Sequence, residues 1–310
     1  MNRYIIRRLL QMLVTLWVIA TLTFIMMHAI PGDPFSSEKK LPEQVLKNMM
    51  AHYHLDKPIP VQYVIYMKSL LQLDLGPSIK YDTRTINEIL AEGFPVSAQL
   101  GAQALIFAII IGLTLGTIAA LYQNRPVDYG AMVLAVLLIS IPSFVLAPIL
   151  QKYFGVEWEL LPVATWGDFN STVLPTVALS AYALATVTRL MRSSMVEVLT
   201  NDFIRTARSK GLPPYLVVLR HTVRNAILPV VTILGPLAVN VLTGSFVIEH
   251  IFSIPGIGKY FVESISNRDY PLIMGVTLFY SALLISVNFI VDLAYGMIDP
   301  RIQLFKKGGK

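Results

Sequence analysis

The chain has 310 residues, of which 55% are hydrophobic and 14% are charged, and its formal net charge is +6. An ordinary soluble domain carries about 25% charged residues, so this composition excludes a disordered chain and an ordinary soluble enzyme. A positive surplus would suggest nucleic acid for a soluble protein, but in a membrane protein the distribution of charge matters more, and we expect no nucleic-acid partner. The chain has no cysteine, which excludes disulfides and thiolate chemistry.

Six apolar runs are long enough to cross a membrane, since about 20 helical residues span a hydrocarbon core of about 30 Å. The predicted transmembrane helices are residues 9–30, 96–122, 130–151, 173–188, 226–248 and 272–291. The first run is longer than the apolar region of a signal peptide and lacks a small-x-small cleavage site, so we expect an uncleaved anchor. The sequence therefore predicts an all-α integral membrane protein with six transmembrane helices.

The basic residues predict the orientation. Outside the long loop 31–95, most Lys and Arg residues fall in segments that lie inside if the N-terminus is inside. Because positive residues of short loops stay on the cytoplasmic side, we expect both termini in the cytoplasm. We also expect the spans to contact membrane lipid.

The chain is expected to have four parts. These are an N-terminal anchor helix, an extracytoplasmic loop module, a transmembrane core and a cytoplasmic tail, at residues 1–30, 31–94, 95–299 and 300–310. Proline predicts the starts of two short helices in the loop module, near 42–53 and 60–73.

One feature of the second span concerns helix packing. A stripe of small residues in the second span, Ala104 to Ala120 with Gly112 and Gly116, predicts close packing within the chain rather than a dimer interface.

Proline residues interrupt two other spans. In the third and fifth spans, the sequence leaves open whether they mark a discontinuous helix that lines a cavity or a tolerated kink. The prolines concerned are Pro142, Pro148, Pro229 and Pro236.

No catalytic constellation is found in the sequence. His52 and His54 form an H-x-H pair, but no third metal ligand is placed near them by spacing. The glycines before Lys259 lack the first glycine and the final Ser/Thr of a P-loop, since Ser253 and Tyr260 stand in those places. We therefore expect no enzyme activity, no cofactor and no metal, and ATP hydrolysis would have to come from another subunit.

The most informative segment is the loop 189–229. The pattern predicts a helix over 193–210 that ends at Gly211, a turn at Pro213 and Pro214, and a second helical stretch over 215–226. This hairpin, at about 193–226, carries several basic residues. Either it anchors the chain on anionic lipid or it docks a soluble partner, and the ordered turn favours docking because a lipid anchor needs no such turn.

Residues 203–212 and 221–229 resemble the EAA loop of ABC-transporter membrane subunits, in the version of the oligopeptide/dipeptide/nickel permease family. The general pattern has E-A-A where this chain has Arg205-Thr206-Ala207, and His221 replaces an apolar residue. Both departures agree with that family's variant. Further similar motifs are RYIIRRLL at the start, LGPS at 75–78, FPVSAQLG at 94–101 and the long segment from 244 to 275. The whole pattern is most similar to the B-type oligopeptide permease membrane subunit.

The resemblance implies a type I ABC importer fold, with residues 95–299 as the ABC transmembrane type-1 domain and the prokaryotic plasma membrane as its location. It implies four kinds of partner: a second homologous permease subunit, two ATPase subunits, an extracytoplasmic peptide-binding protein and lipid. It also implies which side chains contact the ATPase: Asp202, Arg205, Arg208, Lys210, Gly211, Pro213, Pro214, His221 and Arg224. Asn240 and Glu249 of the fifth span are candidates for the translocation path, although the membrane interface is slightly favoured over a polar cavity as the place of Glu249.

The expected function is import of oligopeptides, with dipeptides or nickel as alternative cargo within the family. A different class, an ion-coupled secondary transporter, would need acidic residues at the middle of the membrane. Glu249 and Asp292 both lie at span ends, which disfavours that class.

Overall fold

The computed structural model describes residues 2–29, 43–81 and 83–298, and within these ranges the chain is helical without a β-strand. The long helices are α1 (Asn2–Ala29), α4 (Ile86–Leu121), α7 (Phe169–Leu199), α11 (Leu228–Ile251) and α13 (Tyr270–Ile298). The short helices are α2 (Glu43–His52), α3 (Ile59–Leu71), α5 (Pro126–Ser140), α6 (Ser143–Leu150), α8 (Asp202–Ser209), α9 (Pro214–Leu216), α10 (Arg224–Ala226) and α12 (Ile257–Asn267). Two π-helices are present, π1 (Gln151–Glu157) and π2 (Val217–Val223).

Five of the described helices contain a segment long and apolar enough to cross a membrane, and a bent helix pair forms a further candidate. The five segments are Ile5–Ala29, Ile86–Leu121, Phe169–Leu199, Leu228–Ile251 and Tyr270–Val291. Five of the six predicted spans therefore correspond to continuous helices.

The third predicted span is not one straight helix. Its two halves, Pro126–Ser140 and Ser143–Glu157, meet at an angle of 107°. Ile141 is extended, with φ −92° and ψ 115°, because the ring of Pro142 disfavours a helical conformation of the preceding residue. Pro148 and Pro236, in contrast, lie inside helices that continue through them. Pro229 lies in the first turn of α11, where proline is tolerated. Pro142 is thus the proline beside the 107° bend.

The fourth span, α7, is much longer than the predicted 173–188. It begins after Asp168, whose carboxylate accepts a hydrogen bond from the Ser171 N–H at 3.1 Å. The Ser171 side chain and this N–H both lower the pKa of Asp168. The helix continues past Arg189 to Leu199, since a helix need not be apolar where it leaves the membrane.

The chain divides into two compact units, residues 1–96 with 256–310 and residues 97–255. In the second unit, α7 is the most buried helix and packs against α5, α6 and α11. The small residues of α4 also lie on α7: a Cβ added at Gly112 would come within 2.8 Å of the Val187 Cβ. A Cβ added at Gly116 would come within 2.6 Å of the Thr188 carbonyl oxygen. The predicted packing within the chain is confirmed.

In the first unit, the end of α1 packs with α13 around Phe24, Met27, Ile273 and Met274. Aromatic side chains of α3, Tyr63 and Tyr66, cover this cluster, and burial raises the pKa of Tyr66 to about 12. Helix α3 therefore packs on transmembrane helices rather than forming a separate core.

A buried carboxylate fixes the segment before α4 to the start of α13. Asp269 is fully buried and accepts hydrogen bonds from the Ser78 hydroxyl group, the Lys80 N–H at 3.1 Å and the Leu272 N–H at 3.2 Å. Because a buried carboxylate is costly unless its oxygens are hydrogen-bonded, these donors stabilise both segments in one arrangement.

Candidate functional site

The predicted hairpin after α7 is present, but its first helix is divided. The sequence predicts one helix over 193–210, and this prediction is wrong, because α7 ends at Leu199 and α8 begins at Asp202. Asn201 is extended, and the Thr200 hydroxyl group donates to the Glu197 carbonyl oxygen at 2.7 Å. Thr and Asn side chains compete with helical bonds in this way, which favours a helix end.

The turn of the hairpin lies where the sequence places it. Gly211 follows α8 with φ +76°, a left-handed conformation that glycine adopts without a steric penalty. Pro213 is extended and Pro214 opens α9, so the second arm starts at the proline pair. The chain thereby reverses within a few residues.

A small apolar cluster joins the two arms. Ile204 and Ala207 of α8 and Val217 of π2 are buried together, and Val198 and Leu212 pack against them. Residues 204 and 207 lie one helical turn apart, so they form a single apolar face of α8. This cluster fixes α8 against π2.

The opposite face of α8 is polar and exposed. It carries Asp202, Arg205 and Arg208, and Lys210 follows as the C-cap of the helix; all four side chains are exposed to solvent. Arg205 and Asp202 approach to 3.6 Å, but an exposed pair of this kind contributes at most about 1 kcal/mol, so both side chains can change partners.

The other predicted coupling residues follow the turn. Gly211, Pro214 and Arg224 are exposed, whereas Pro213 and His221 are half-buried. The structure thus gathers α8 and the turn into one surface, and it places His221 and Arg224 on the second arm.

The second arm contains a π-helix that the sequence did not indicate. In π2 the Thr222 hydroxyl group donates to the Val217 carbonyl oxygen, five residues earlier, at 3.1 Å. Thr222 is fully buried, so this bond satisfies a hydroxyl group that has no access to water. Short π-helices of this kind often occur at functional sites.

A buried ion pair near the hairpin was also missed. The Asp128 carboxylate of α5 accepts two hydrogen bonds from the Arg192 guanidinium group of α7, both at 2.7 Å, and one from the Asn124 N–H at 2.9 Å. Asp128 is only 2% exposed. The pair joins the turn between α4 and α5 to α7, seven residues before α7 ends. In the sequence, this pair was indicated only by the opposite charges of Asp128 and Arg192, which lie near the ends of two spans.

The two candidate path residues lie on different faces of α11. Asn240 is exposed and lines a cavity of about 380 Å³, whereas Glu249 is fully buried. Nine residues separate them, which is two and a half helical turns, so opposite faces are the geometric expectation. The structure does not bring these two side chains together.

No group of three or more His, Asp or Glu side chains in the described ranges is arranged to hold a metal ion. His28, His52 and His54 line one cavity of about 260 Å³ in the first unit. The Nδ1 and Nε2 atoms of His28 already lie 2.9 Å from the Phe24 carbonyl oxygen and 3.0 Å from the Gln62 Oε1 atom. His28 thus lies in the same cavity as His52 and His54, but the three side chains are not arranged to hold a metal ion.

Comparison with known families decides what kind of protein this is. Residues 112–304 match the family described as "Binding-protein-dependent transport system inner membrane component". Residues 1–98 match its N-terminal companion, "Binding-prot-dependent transport system membrane comp, N-term". The chain belongs to the binding-protein-dependent transport system inner membrane components. An inner membrane component of this family is a multi-pass transport subunit and not an enzyme, as the sequence predicted.

Curated relatives of this inner membrane component match over nearly its whole length. It is 56% identical to the dipeptide transport system permease protein DppB of Bacillus subtilis, over 99% of this chain and 100% of that protein. It is 47% identical to the oligopeptide transport system permease protein OppB of Salmonella typhimurium, over 98% and 100%. The predicted membership among ABC-transporter peptide permeases is confirmed.

Solved structures of more distant transporters share the fold. An amino acid ABC transporter determined with histidines aligns with a TM-score of 0.54 at 14% identity, over 68% of this chain and 94% of that one. The inward-facing MetNI methionine ABC transporter aligns with a TM-score of 0.56 at 16% identity, over 68% and 96%. The predicted ABC importer fold is thereby confirmed.

Proposed function

We propose that this inner membrane component forms half of the translocation path of an ATP-driven importer of short peptides. The carrying observation is the whole-length similarity to a dipeptide permease at 56% and to an oligopeptide permease at 47%. The higher identity favours dipeptides as cargo, whereas the motifs of the sequence favour oligopeptides. Nickel is the less supported alternative, because both of these relatives are named for peptide transport.

The hairpin formed by α8, its turn and π2 is proposed to couple this path to an ATPase subunit. Three structural features support the role. The polar face of α8 is exposed, its apolar face is fixed by Ile204, Ala207 and Val217, and the hairpin directly follows α7, the most buried helix of its unit. Force applied at the exposed face would therefore reach α7 through a packed contact rather than through a flexible loop.

This role implies an orientation. The hairpin and both termini would lie in the cytoplasm, and residues 31–94 and 252–271 would lie outside, where a peptide-binding protein could dock. A second, related permease subunit and two ATPase subunits would complete the transporter. The boundaries 1–30, 31–94, 95–299 and 300–310 are proposed as its parts on the same basis.

Cysteine crosslinking tests the coupling role, because the natural chain contains no cysteine. Arg208→Cys should form a disulfide with a cysteine introduced into the ATPase subunit of the assembled transporter, and ATP should change the yield. Arg189→Cys is the matched control, since it is exposed on α7 but lies ten residues before the end of that helix. Equal yields at the two positions, or none at Arg208→Cys in a complex that transports, would refute the coupling role.

Competition tests the cargo. Proteoliposomes with the complete transporter should take up a radiolabelled peptide, and unlabelled dialanine and pentaalanine should compete. Stronger competition by dialanine supports the dipeptide assignment, and stronger competition by pentaalanine supports the oligopeptide assignment. No uptake of the radiolabelled peptide by the complete transporter would contradict peptide cargo.

A further inference from the structure

A cavity with both polar and apolar walls lies between the helix break after α5 and the helices α7 and α11, all within the unit 97–255. Its volume is about 380 Å³. Apolar side chains form most of the wall, and four polar side chains and the backbone of the helix break interrupt it. The lining residues that matter here are Ile141, Pro142, Ser143, Tyr182, Asn240 and Thr243.

Asn240 occupies the middle of a membrane-spanning helix. It lies twelve residues after the start of α11 and eleven before its end, so at 1.5 Å per residue it is about 17 Å from either end. A hydrocarbon core is about 30 Å thick, which places Asn240 near its centre. An exposed carboxamide at this depth must face water or a polar partner, because hydrocarbon offers no hydrogen bond.

Tyr182 brings a second polar group to the same cavity. It lies in the central part of α7 and is 47% exposed. Within the described residues, neither the Tyr182 hydroxyl group nor the Asn240 carboxamide has a hydrogen-bond partner. The Thr243 hydroxyl group donates to the Val239 and Asn240 carbonyl oxygens at 3.0 Å, which leaves its acceptor sites available.

The helix break supplies the remaining wall. Ile141 is extended, although its N–H still bonds to the Leu137 carbonyl oxygen at 3.1 Å. Pro142 has no N–H, so the Leu138 carbonyl oxygen lacks its regular helical donor. Non-helical backbone at membrane depth is tolerated where it is buried in protein or lines a water-filled cavity. The break, the exposed Asn240 and the exposed Tyr182 thus point independently to a wet cavity at the centre of the membrane.

We propose that this cavity is a cargo subsite of the translocation path, and that Asn240 hydrogen-bonds to a backbone amide group of the transported peptide. The inference rests on the proposed function. A carboxamide presents a donor and an acceptor side by side, which complements the C=O and N–H of a peptide group. None of the lining residues is charged, so the subsite selects neither for peptide termini nor for charged side chains. The apolar part of the wall contacts side chains of varied shape.

Removing the carboxamide tests the hydrogen bond. Asn240→Leu should lower the initial rate of trialanine uptake by the assembled transporter up to about tenfold, the upper end of the net effect of losing one hydrogen bond. Asn288→Leu is the matched control, because Asn288 is an exposed asparagine of the spanning helix α13 whose amide bonds to the Leu284 carbonyl oxygen of its own helix. This control should stay within about twofold of the unaltered transporter. Rates are compared per assembled complex, so a loss of assembly does not count as a loss of transport.

Photo-crosslinking tests the position of the cargo, which a purely structural role of Asn240 would not affect. A benzophenone amino acid at position 182 should capture radiolabelled trialanine during ATP-driven uptake. The same amino acid at position 169 is the control, since Phe169 is a highly exposed aromatic residue at the start of the same helix. We expect peptide capture at 182 and background labelling at 169.

The outcomes separate the subsite from the proposed function. Peptide capture at 182 together with slow uptake by Asn240→Leu supports both. Normal uptake by Asn240→Leu, or capture of the partner membrane subunit instead of peptide at 182, overturns the subsite while the unaltered transporter still imports trialanine. A complete unaltered transporter that imports no peptide overturns the proposed function and the subsite together.

Discussion

The close approach of α4 to α7 makes a sharp prediction at Gly116. A Cβ at this position would lie 2.6 Å from the Thr188 carbonyl oxygen, 2.7 Å from the Met191 Cβ and 3.1 Å from the Arg192 nitrogen. Two of these three atoms belong to the backbone and cannot rotate away. The helices would have to separate by about 0.8 Å to restore ordinary van der Waals contact.

The cost follows from that displacement. Forcing extra volume into a packed interface costs about 1–3 kcal/mol. Alanine also gains up to about 1 kcal/mol over glycine in a helix, and this gain partly offsets the cost. Gly130 is the matched control, because it is also helical and a Cβ added there meets nothing within 4 Å. The difference between Gly116→Ala and Gly130→Ala therefore isolates the packing cost, which we expect to be about 2 kcal/mol.

Thermal unfolding of the detergent-solubilised transporter measures this difference. With a fluorescent protein fused to this chain, the fraction that remains monodisperse after heating reports its midpoint. About 2 kcal/mol corresponds to a midpoint lower by about 4–8 °C for Gly116→Ala than for Gly130→Ala. Equal midpoints, or a higher midpoint for Gly116→Ala, would refute close packing of α4 on α7.

Three further substitutions test other features. Asp128→Asn removes the charge that pairs with Arg192. Breaking a buried pair costs about 3–5 kcal/mol, and because Arg192 is partly exposed we expect the stability to fall by about 3 kcal/mol in the same thermal assay. An unchanged midpoint would contradict a stabilising ion pair. Gly211→Val should weaken copurification of the ATPase subunits, and Gly211→Asn should weaken it less. The reason is that φ of residue 211 is +76°, and asparagine tolerates the left-handed region better than valine. Equal recovery of the ATPase subunits with both variants would show that this backbone conformation does not matter for their binding. Asp168→Ala should lower the midpoint at neutral pH, because it removes the cap on the Ser171 N–H. Since the folded-state pKa of Asp168 is lowered, the difference in midpoint from the unaltered chain should disappear as the pH falls below the ordinary carboxyl value of 3.8 and through that lowered pKa. A difference that persists in acid would contradict the cap.

The membrane spans were largely predictable from sequence. The fifth span was expected at 226–248 and is α11, Leu228–Ile251, because the thickness of the membrane fixes the length of an apolar run. The angle of 107° in the third span was not predictable. A proline can either bend or break a helix, and packing decides between them: Pro236 lies within a continuous helix, whereas Pro142 follows a break.

The hairpin was predictable where local chemistry determines it. Gly211 and the proline pair locate the turn, since their backbone preferences hold in any surroundings. Thr200 and Asn201 favour the helix end at Leu199 without requiring it. The π-helix depends on how the arms pack around Ile204 and Val217, which no local pattern encodes. Spacing alone could have shown that Asn240 and Glu249 lie on opposite faces.

ATP-driven uptake in proteoliposomes tests the central claim most directly. Vesicles that contain this chain, the second permease subunit, both ATPase subunits and the binding protein should accumulate a radiolabelled short peptide only when ATP is supplied on the side of the hairpin. Omission of this chain or of the ATPase subunits should abolish accumulation. Peptide accumulation by this chain alone, driven by an ion gradient without ATP, would contradict the claim.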